Sequence, residues 1–325
     1  MTGTAAVVEA HELRKSFKGG VRALDGLSFA VAPGSVFALL GPNGAGKTTT
    51  MRILTALTRP DEGRASVAGI DVLRRPGAAR AVIGAVGQHT GAVSLLTGRE
   101  NMTLQGKLYG LRGRALKARV AELLGEFGLE EAAGRPARGY SGGMRRRLDI
   151  AMVLLHRPAV LFLDEPTTGL DPEGRAGLWA ALTRLVAQDA TTILVTTHYL
   201  EEADQFAGQV AIVDRGRIVT AGRPEELKAQ LRGDSVLLDL ADAGLAGQAR
   251  KALDGLPQVR SAAAAGTAVR ARVGDGARAL PAVLAALDSS SIPVVSVTVA
   301  RPSLDDVYLH HAGRSFRQAE GSEAA

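Results

Sequence analysis

The run Gly41-Pro42-Asn43-Gly44-Ala45-Gly46-Lys47-Thr48 decides how the rest of the chain is read. It matches G-x-x-x-x-G-K-[ST] in full, after the apolar stretch Ser35–Leu40 and at the start of a helical pattern reaching Leu57. The glycines let main-chain N–H groups turn inward and approach phosphates closely. The following helix adds its positive N-terminal end. Lys47 is then expected to reach the β- and γ-phosphates of a nucleotide. The Thr48 hydroxyl is expected to ligate Mg²⁺, so Gly41 to Thr49 form the candidate nucleotide-binding segment.

A second stretch, Val160-Leu161-Phe162-Leu163-Asp164-Glu165, is an apolar strand that delivers two carboxylates at its C-terminal end. Ligands bind at that end of open α/β sheets. Asp164 is expected to hold the metal through water, and Glu165 to take the proton of an attacking water. Around these motifs the patterns alternate. A helix over about 143–156 precedes this strand, and a helix over about 173–188 and a strand over 191–196 follow it. Such alternation predicts a mainly parallel sheet with helices packed on it. Short strands are expected near 6–13 and 27–31, with turns at Gly19-Gly20 and Pro33-Gly34. Residues 91–137 read as mostly helical.

After about Leu231 the composition shifts. Strands over 235–240, 258–264, 269–273 and 292–299, with helices over 245–256 and 280–287, give a βαββαβ order, the ferredoxin-like arrangement. A C-terminal helix is expected at Leu304–Leu309, its apolar face carried by Leu304, Val307, Tyr308 and His311. Residues 313–325 are polar and read as a flexible tail.

Composition narrows the classes of function. The 325 residues are 46% hydrophobic and 22% charged, an ordinary globular balance that argues against extended disorder. With no cysteine, the chain cannot form a disulfide scaffold, a zinc ribbon, an iron–sulfur site or a catalytic thiol. The net charge of +6 comes from an arginine excess, most simply a bias of composition. The longest uncharged run, Gly26 to Gly46, is broken by Pro33 and Pro42. No spanning helix is expected, so a transport role would need a separate membrane partner. The N-terminus lacks the basic-then-apolar order of a secretory leader.

Ser141-Gly142-Gly143, in order with the two motifs above, makes the chain resemble the ATP-binding subunit of an ABC transporter over roughly residues 5–230. The variant Tyr140-Ser141-Gly142-Gly143-Met144 and the segment Leu304-Asp305-Asp306-Val307-Tyr308-Leu309 resemble the daunorubicin-resistance type of drug-export ATPase. The resemblance implies an α/β, ABC-type P-loop domain over 1–232. It would have a mainly parallel sheet, an antiparallel β subdomain and a helical subdomain at about 91–157. A small α+β accessory domain would follow over 233–312.

Carried over by position, the resemblance makes Phe17 the aromatic that stacks on adenine. Gln88 links the Mg²⁺ and water site to the membrane subunit, and His198 touches the γ-phosphate. Ser141, Gly142 and Gly143 hold the γ-phosphate bound to the opposite subunit, and Asp171 lies in the loop that joins two subunits. Tyr140 and Met144 depart from the usual Leu and Gln of that signature, so the contact made by the glutamine is absent. The Arg145-Arg146-Arg147 run reads as a solvated helix face.

The implied activity is ATP hydrolysis, with ATP and Mg²⁺, that energises export of hydrophobic compounds such as antibiotics through a separate permease. The implied partners are that permease and a second ATPase copy, with no nucleic acid, on the cytoplasmic side of the cell membrane. The competing readings are a non-transport ATPase acting on nucleic acid or ribosomes, and an ATP-dependent drug-sequestering protein. The single ATPase unit and the transporter-type glutamine loop weigh against the first. No sequence feature speaks for the second.

Overall fold

The structure is a computed structural model that describes residues 6–231 and 233–321. The first strands are β1 (Val8–Ser16), β2 (Arg22–Val31), β3 (Val36–Leu40), β4 (Glu62–Val67) and β5 (Ile70–Asp71). They are followed by β6 (Ile83–Val86), β7 (Val160–Asp164), β8 (Thr192–Thr197), β9 (Gln209–Asp214) and β10 (Arg217–Gly222). The helices among them are α1 (Lys47–Leu54), α2 (Pro76–Ala81), α3 (Gly98–Leu108), α4 (Gly113–Glu126), α5 (Gly142–Val153), α6 (Pro172–Asp189) and α7 (Leu200–Phe206).

Two sheets result. One is antiparallel, in the order β2-β1-β4-β5. The other runs β10-β9-β3-β8-β7-β6 and is parallel except for the edge strand β10. Its central strands, Val36–Leu40, Val160–Asp164 and Thr192–Thr197, are buried at every position. That pattern belongs to strands covered on both faces, which explains why they read as unbroken apolar runs instead of alternating ones. Because β3, β8 and β7 are parallel neighbours, their C-terminal ends lie side by side. Leu40 pairs with Thr197 and Asp164 with Thr196, so the segments that leave these strands meet at one edge.

The helices α3 and α4 lie in the region expected to be mostly helical, but residues 127–136 are turns. Thr97 caps α3 through a capping box with Glu100, a signal for a boundary there.

The later elements are α8 (Pro224–Gln230), β11 (Asp234–Leu240), α9 (Ala246–Asp254), β12 (Val259–Ala265), β13 (Ala268–Val273), α10 (Gly276–Ser289) and β14 (Val294–Ala300). Their antiparallel sheet has the order β12-β13-β11-β14, the ferredoxin-like connectivity expected from the pattern. Val236, Leu238, Leu253, Val273, Val283 and Leu287 form its core. The α10 helix begins four residues before the expected start because Asp275 accepts from Arg278 N–H as its N-cap.

Helix α11 (Leu304–Ala312) buries Leu304, Val307 and Tyr308, while His311 is exposed. Asp306 is buried on the same helix and closes a capping box with Ser303. It also sits 2.6 Å from the Arg270 guanidinium and 3.4 Å from that of Arg272, both on β13. Replacing Asp306 by alanine removes the carboxylate half of the capping box, while Ser303 remains the N-cap, and leaves two arginines without their shared carboxylate. Denaturant unfolding should register a loss of about 2–3 kcal/mol, and a loss under about 0.5 kcal/mol would contradict this role.

The chain divides into two compact units, one running to Pro224 and resuming at Phe316, the other spanning Glu225–Ser315. The sequence reading put the break at 232/233 and a flexible tail from 313. Residues Phe316–Gly321 instead form α12, with Phe316 and Ala319 buried. The remainder of the expected tail, 322–325, lies outside the described residues. Among the described residues no helix is long and apolar enough to cross a membrane.

Candidate functional site

The loop from Gly41 to Gly46 leaves the central strand β3 and turns directly into α1. Gly46, the N-cap, has φ +105°, where a side chain is strained. Its missing Cβ would collide with the Ala23 carbonyl and Leu24, and one on Gly41 would collide with the Val213 carbonyl. Asn43 and Gly44 are exposed, whereas Pro42 and Ala45 are buried. Ala45 O accepts from Gly216 N–H at 3.0 Å, which anchors the loop to the turn before β10. Gly46→Ala is expected to lower stability by about 2–4 kcal/mol through overpacking and left-handed strain. A melting temperature within about 2 °C of the parent would refute that expectation.

Lys47 is only 4% exposed, and its Nζ donates to Gly41 O at 2.6 Å and Pro42 O at 2.9 Å. The same Nζ lies 3.7 Å from Glu165 Oε1. The Thr48 hydroxyl donates to Asp164 Oδ1 at 3.2 Å, and Thr196 Oγ1 donates to that oxygen at 2.6 Å. Thr196 Oγ1 in turn accepts from Glu165 N–H at 3.0 Å. Sequence reasoning missed this threonine, although its place just before Thr197-His198 at a buried strand end was the available signal.

Glu165 occupies the left-handed region, φ +46°, which few non-glycine residues adopt. Its Oε1 lies 3.4 Å from His198 Nδ1, and its Oε2 accepts from Thr168 Oγ1 at 3.3 Å. The His198 imidazole, followed by the Lys47 charge, holds the Glu165 carboxyl below the usual carboxylate range, against burial that pushes it up. The group is therefore ionised at neutral pH. Its stabilising contacts operate above the unfolded carboxylate range and are lost as pH falls through the lower folded value.

Gln88 is exposed on the segment after β6. It lines a cavity of about 380 Å³ together with Glu165, Thr168, Gly142 and Arg146. Ser141 is the N-cap of α5, accepting from Met144 N–H at 3.2 Å. Ser141 and Gly142 are exposed, and Gly143 is buried. Asp171 caps α6 by accepting from Gly174 N–H at 3.0 Å, a local duty that the sequence reading did not assign. Phe17 is 43% exposed beyond β1, with Lys15 Nζ 5.7 Å from its ring centroid. It sits on the β1–β2 hairpin, whose Ala23 and Leu24 abut Gly46. The structure thus clusters Lys47, Thr48, Asp164, Glu165 and His198 by direct contact and adds Gln88 at their cavity. It gives no such contact between this cluster and Ser141, Asp171 or Phe17.

The arginine run requires a correction. Arg145 is exposed, but Arg146 is 8% exposed, and Arg147 Nη1 donates to Phe127 O at 3.0 Å. A helix turns 100° per residue, so three adjacent side chains cannot share one solvated face. The outward-facing reading fails for the middle residue.

Thr48 and Asp164 place a hydroxyl and a carboxylate oxygen together beside a phosphate-type loop. Among the described residues no group of three or more His, Cys, Asp or Glu could hold a metal ion. This sparse oxygen set fits Mg²⁺, which usually keeps several waters and takes phosphate oxygens as further ligands.

Comparison with known proteins agrees with this geometry. A family model described as ABC transporter matches residues 24–168, and one described as the C-terminal domain of DrrA1-3-like ATP-binding proteins matches residues 222–312. The daunorubicin resistance ATP-binding protein DrrA2 of Streptomyces coeruleorubidus is 45% identical over 329 residues, covering 100% of both chains. Among solved structures, cbiO1 from Clostridium perfringens, part of the ABC transporter complex cbiONQ, matches with TM-score 0.65 and 27% identity. That match covers 70% of this chain and 92% of the other. A dimeric ATP-binding cassette in a post-hydrolysis state, bound to ADP and Pi, matches with TM-score 0.61 and 26% identity, covering 66% of this chain and 98% of the other. The chain belongs to the ATP-binding subunits of ABC transporters, in the group that includes the daunorubicin-resistance proteins. Its activity is that group's ATP hydrolysis.

Proposed function

We propose that two copies of this chain close around two ATP molecules and drive a separate membrane permease that exports hydrophobic drugs of the anthracycline type. The observation that carries this reading is the full-length similarity to a daunorubicin resistance ATP-binding protein, over both the ATPase unit and the accessory domain. The dimer is supported by the exposure of Ser141 and Gly142 at a helix N-terminus, while Lys47 and Glu165 are recessed. A single chain has one phosphate loop and one such signature.

Within each site, residues Gly41 to Thr49 cradle the phosphates and Phe17 stacks on the adenine. Thr48, Asp164 and Gln88 hold Mg²⁺, directly or through water. When bound, that ion neutralises charge on the β- and γ-phosphates. Lys47 reaches those phosphates as a compact point charge. Glu165 accepts the proton of the attacking water, and His198 meets the γ-phosphate. Ser141, Gly142 and Gly143 grip the γ-phosphate bound to the partner copy, and Asp171 lies at the join. Loss of the γ-phosphate removes the interaction that distinguishes closed from open, so the sandwich releases and the permease changes state.

The test is transport by membrane vesicles holding this chain together with a candidate membrane permease subunit. ATP-dependent uptake of daunorubicin into inverted vesicles, abolished in Glu165→Gln, is the expected result. If ATP hydrolysis proceeds with no uptake of any hydrophobic drug tried, the export reading is wrong although the ATPase stands.

A further inference from the structure

The buried guanidinium of Arg146 has no part in the mechanism above, yet it is bonded to the backbone on both sides of Glu165. Its Nε donates to Pro166 O at 3.1 Å and its Nη2 to Asp164 O at 2.8 Å, the two carbonyls that flank Glu165. Its Nη1 donates to Gly87 O at 2.5 Å, the peptide immediately before Gln88. Three residues further along α5, Asp149 grips the other side of the same loop. Its Oδ1 accepts from Gly91 N–H at 2.9 Å, Ala92 N–H at 3.1 Å and Thr90 Oγ1 at 3.0 Å.

We propose that Arg146 is a positioning residue for hydrolysis, holding Gln88 and Glu165 in working geometry from the helix that begins at Ser141. Three physical points support this. First, Glu165 adopts a left-handed backbone that costs on the order of 1–3 kcal/mol and persists only where its surroundings over-determine it. Donors fixed to the carbonyls before and after it do that. Second, a buried cation is tolerated only with compensation, and Asp149 and Asp164 supply opposite charge beside it. Third, the three carbonyls belong to two separate segments, Gly87 after β6 and Asp164–Pro166 after β7. A planar fork with donors on three nitrogens can serve them together, whereas a lysine offers one nitrogen.

The arrangement joins the helix led by Ser141 to Gln88 and Glu165 through one side chain. Closure against a second copy would act on α5 at Ser141, and Arg146 would transmit that displacement to both catalytic segments. The proposal rests on the assignment of Glu165 as the base. The two fail separately, because Glu165→Gln tests the base whatever happens at Arg146.

The test uses the full chain and the variants Arg146→Lys and Arg146→Met. The lysine keeps the charge and a reach to one or two of the carbonyls. In steady-state ATPase assays, kcat of Arg146→Lys should fall about 10- to 100-fold while the apparent KM for ATP stays within about 3-fold, the signature of misplaced rather than missing groups. Arg146→Met should lose more, so the order wild type, lysine, methionine tracks the number of carbonyls served. In a Gln88→Ala background the further loss from Arg146→Lys should be smaller than in the wild-type background, since the part acting through Gln88 is already gone and only the part acting through Glu165 remains. A folded Arg146→Lys protein with wild-type kcat overturns the proposal. So does a loss in Arg146→Lys that multiplies fully with that of Gln88→Ala. If Arg146→Met does not fold, the lysine variant and its double mutant still decide the matter.

Discussion

Lys47→Ala should lower ATP hydrolysis to background, a loss of at least about 10²–10³-fold, with nucleotide affinity falling by roughly 10-fold or more. The size of the effect follows from burial. Lys47 is recessed at the head of α1 beside Glu165, so its charge acts on the phosphates with little screening by water. The same lysine also donates to Gly41 O and Pro42 O. Its removal leaves Gly41 O to find another partner, at a cost of about 1–3 kcal/mol where it stays buried, while Pro42 O keeps the Ala45 N–H at 3.3 Å. The measurement pairs phosphate release by the purified protein with a thermal melt. Hydrolysis within 10% of wild type, on about the scale by which assays vary, in a variant that melts normally would remove Lys47 from the site.

Glu165→Gln should produce the second-largest effect, and of a different kind. The substitution keeps the shape and the contact with Thr168, but it takes away the proton acceptor and one negative charge. Hydrolysis is expected to fall by about 10²–10⁴-fold, the usual worth of a positioned general base. Nucleotide binding survives, because Lys47 loses only a neighbour at 3.7 Å. ATP then remains intact between two copies, and size-exclusion chromatography should show a dimer that forms with ATP and not with ADP. A variant that stays monomeric with ATP, while the wild-type chain is active with its permease, would exclude the two-copy sandwich.

Much of the site was legible in the sequence because its chemistry is local. Gly41 to Thr48 is contiguous, and Asp164-Glu165 ends an apolar run, so loop, strand end and helix start could be placed from spacing alone. The layered sheet was legible for the same reason, since strands covered on both faces cannot alternate. The parts that escaped depend on where helices put side chains relative to distant segments. Arg146 looked like one of three surface charges until the helix turned it inward to carbonyls 18, 20 and 59 residues away in the chain. Thr196 hid inside an apolar strand, and its two contacts with Asp164 and Glu165 arise only from the parallel pairing of β7 with β8. The last helix was misread because a polar composition says little about two buried positions, Phe316 and Ala319.

That last helix also bears on how the protein is made. The ATPase unit takes in residues on both sides of Glu225–Ser315, so the smaller unit is an insertion in the chain and not an appendage after it. A ribosome releases the segment up to Pro224 first and the insertion second. The piece that finishes the first unit comes only afterwards. An affinity tag fused after residue 325, or a stop codon placed just before Phe316, is therefore a change to the nucleotide-hydrolysing unit of the molecule. Purification handles on this protein are better placed at its N-terminus, ahead of β1.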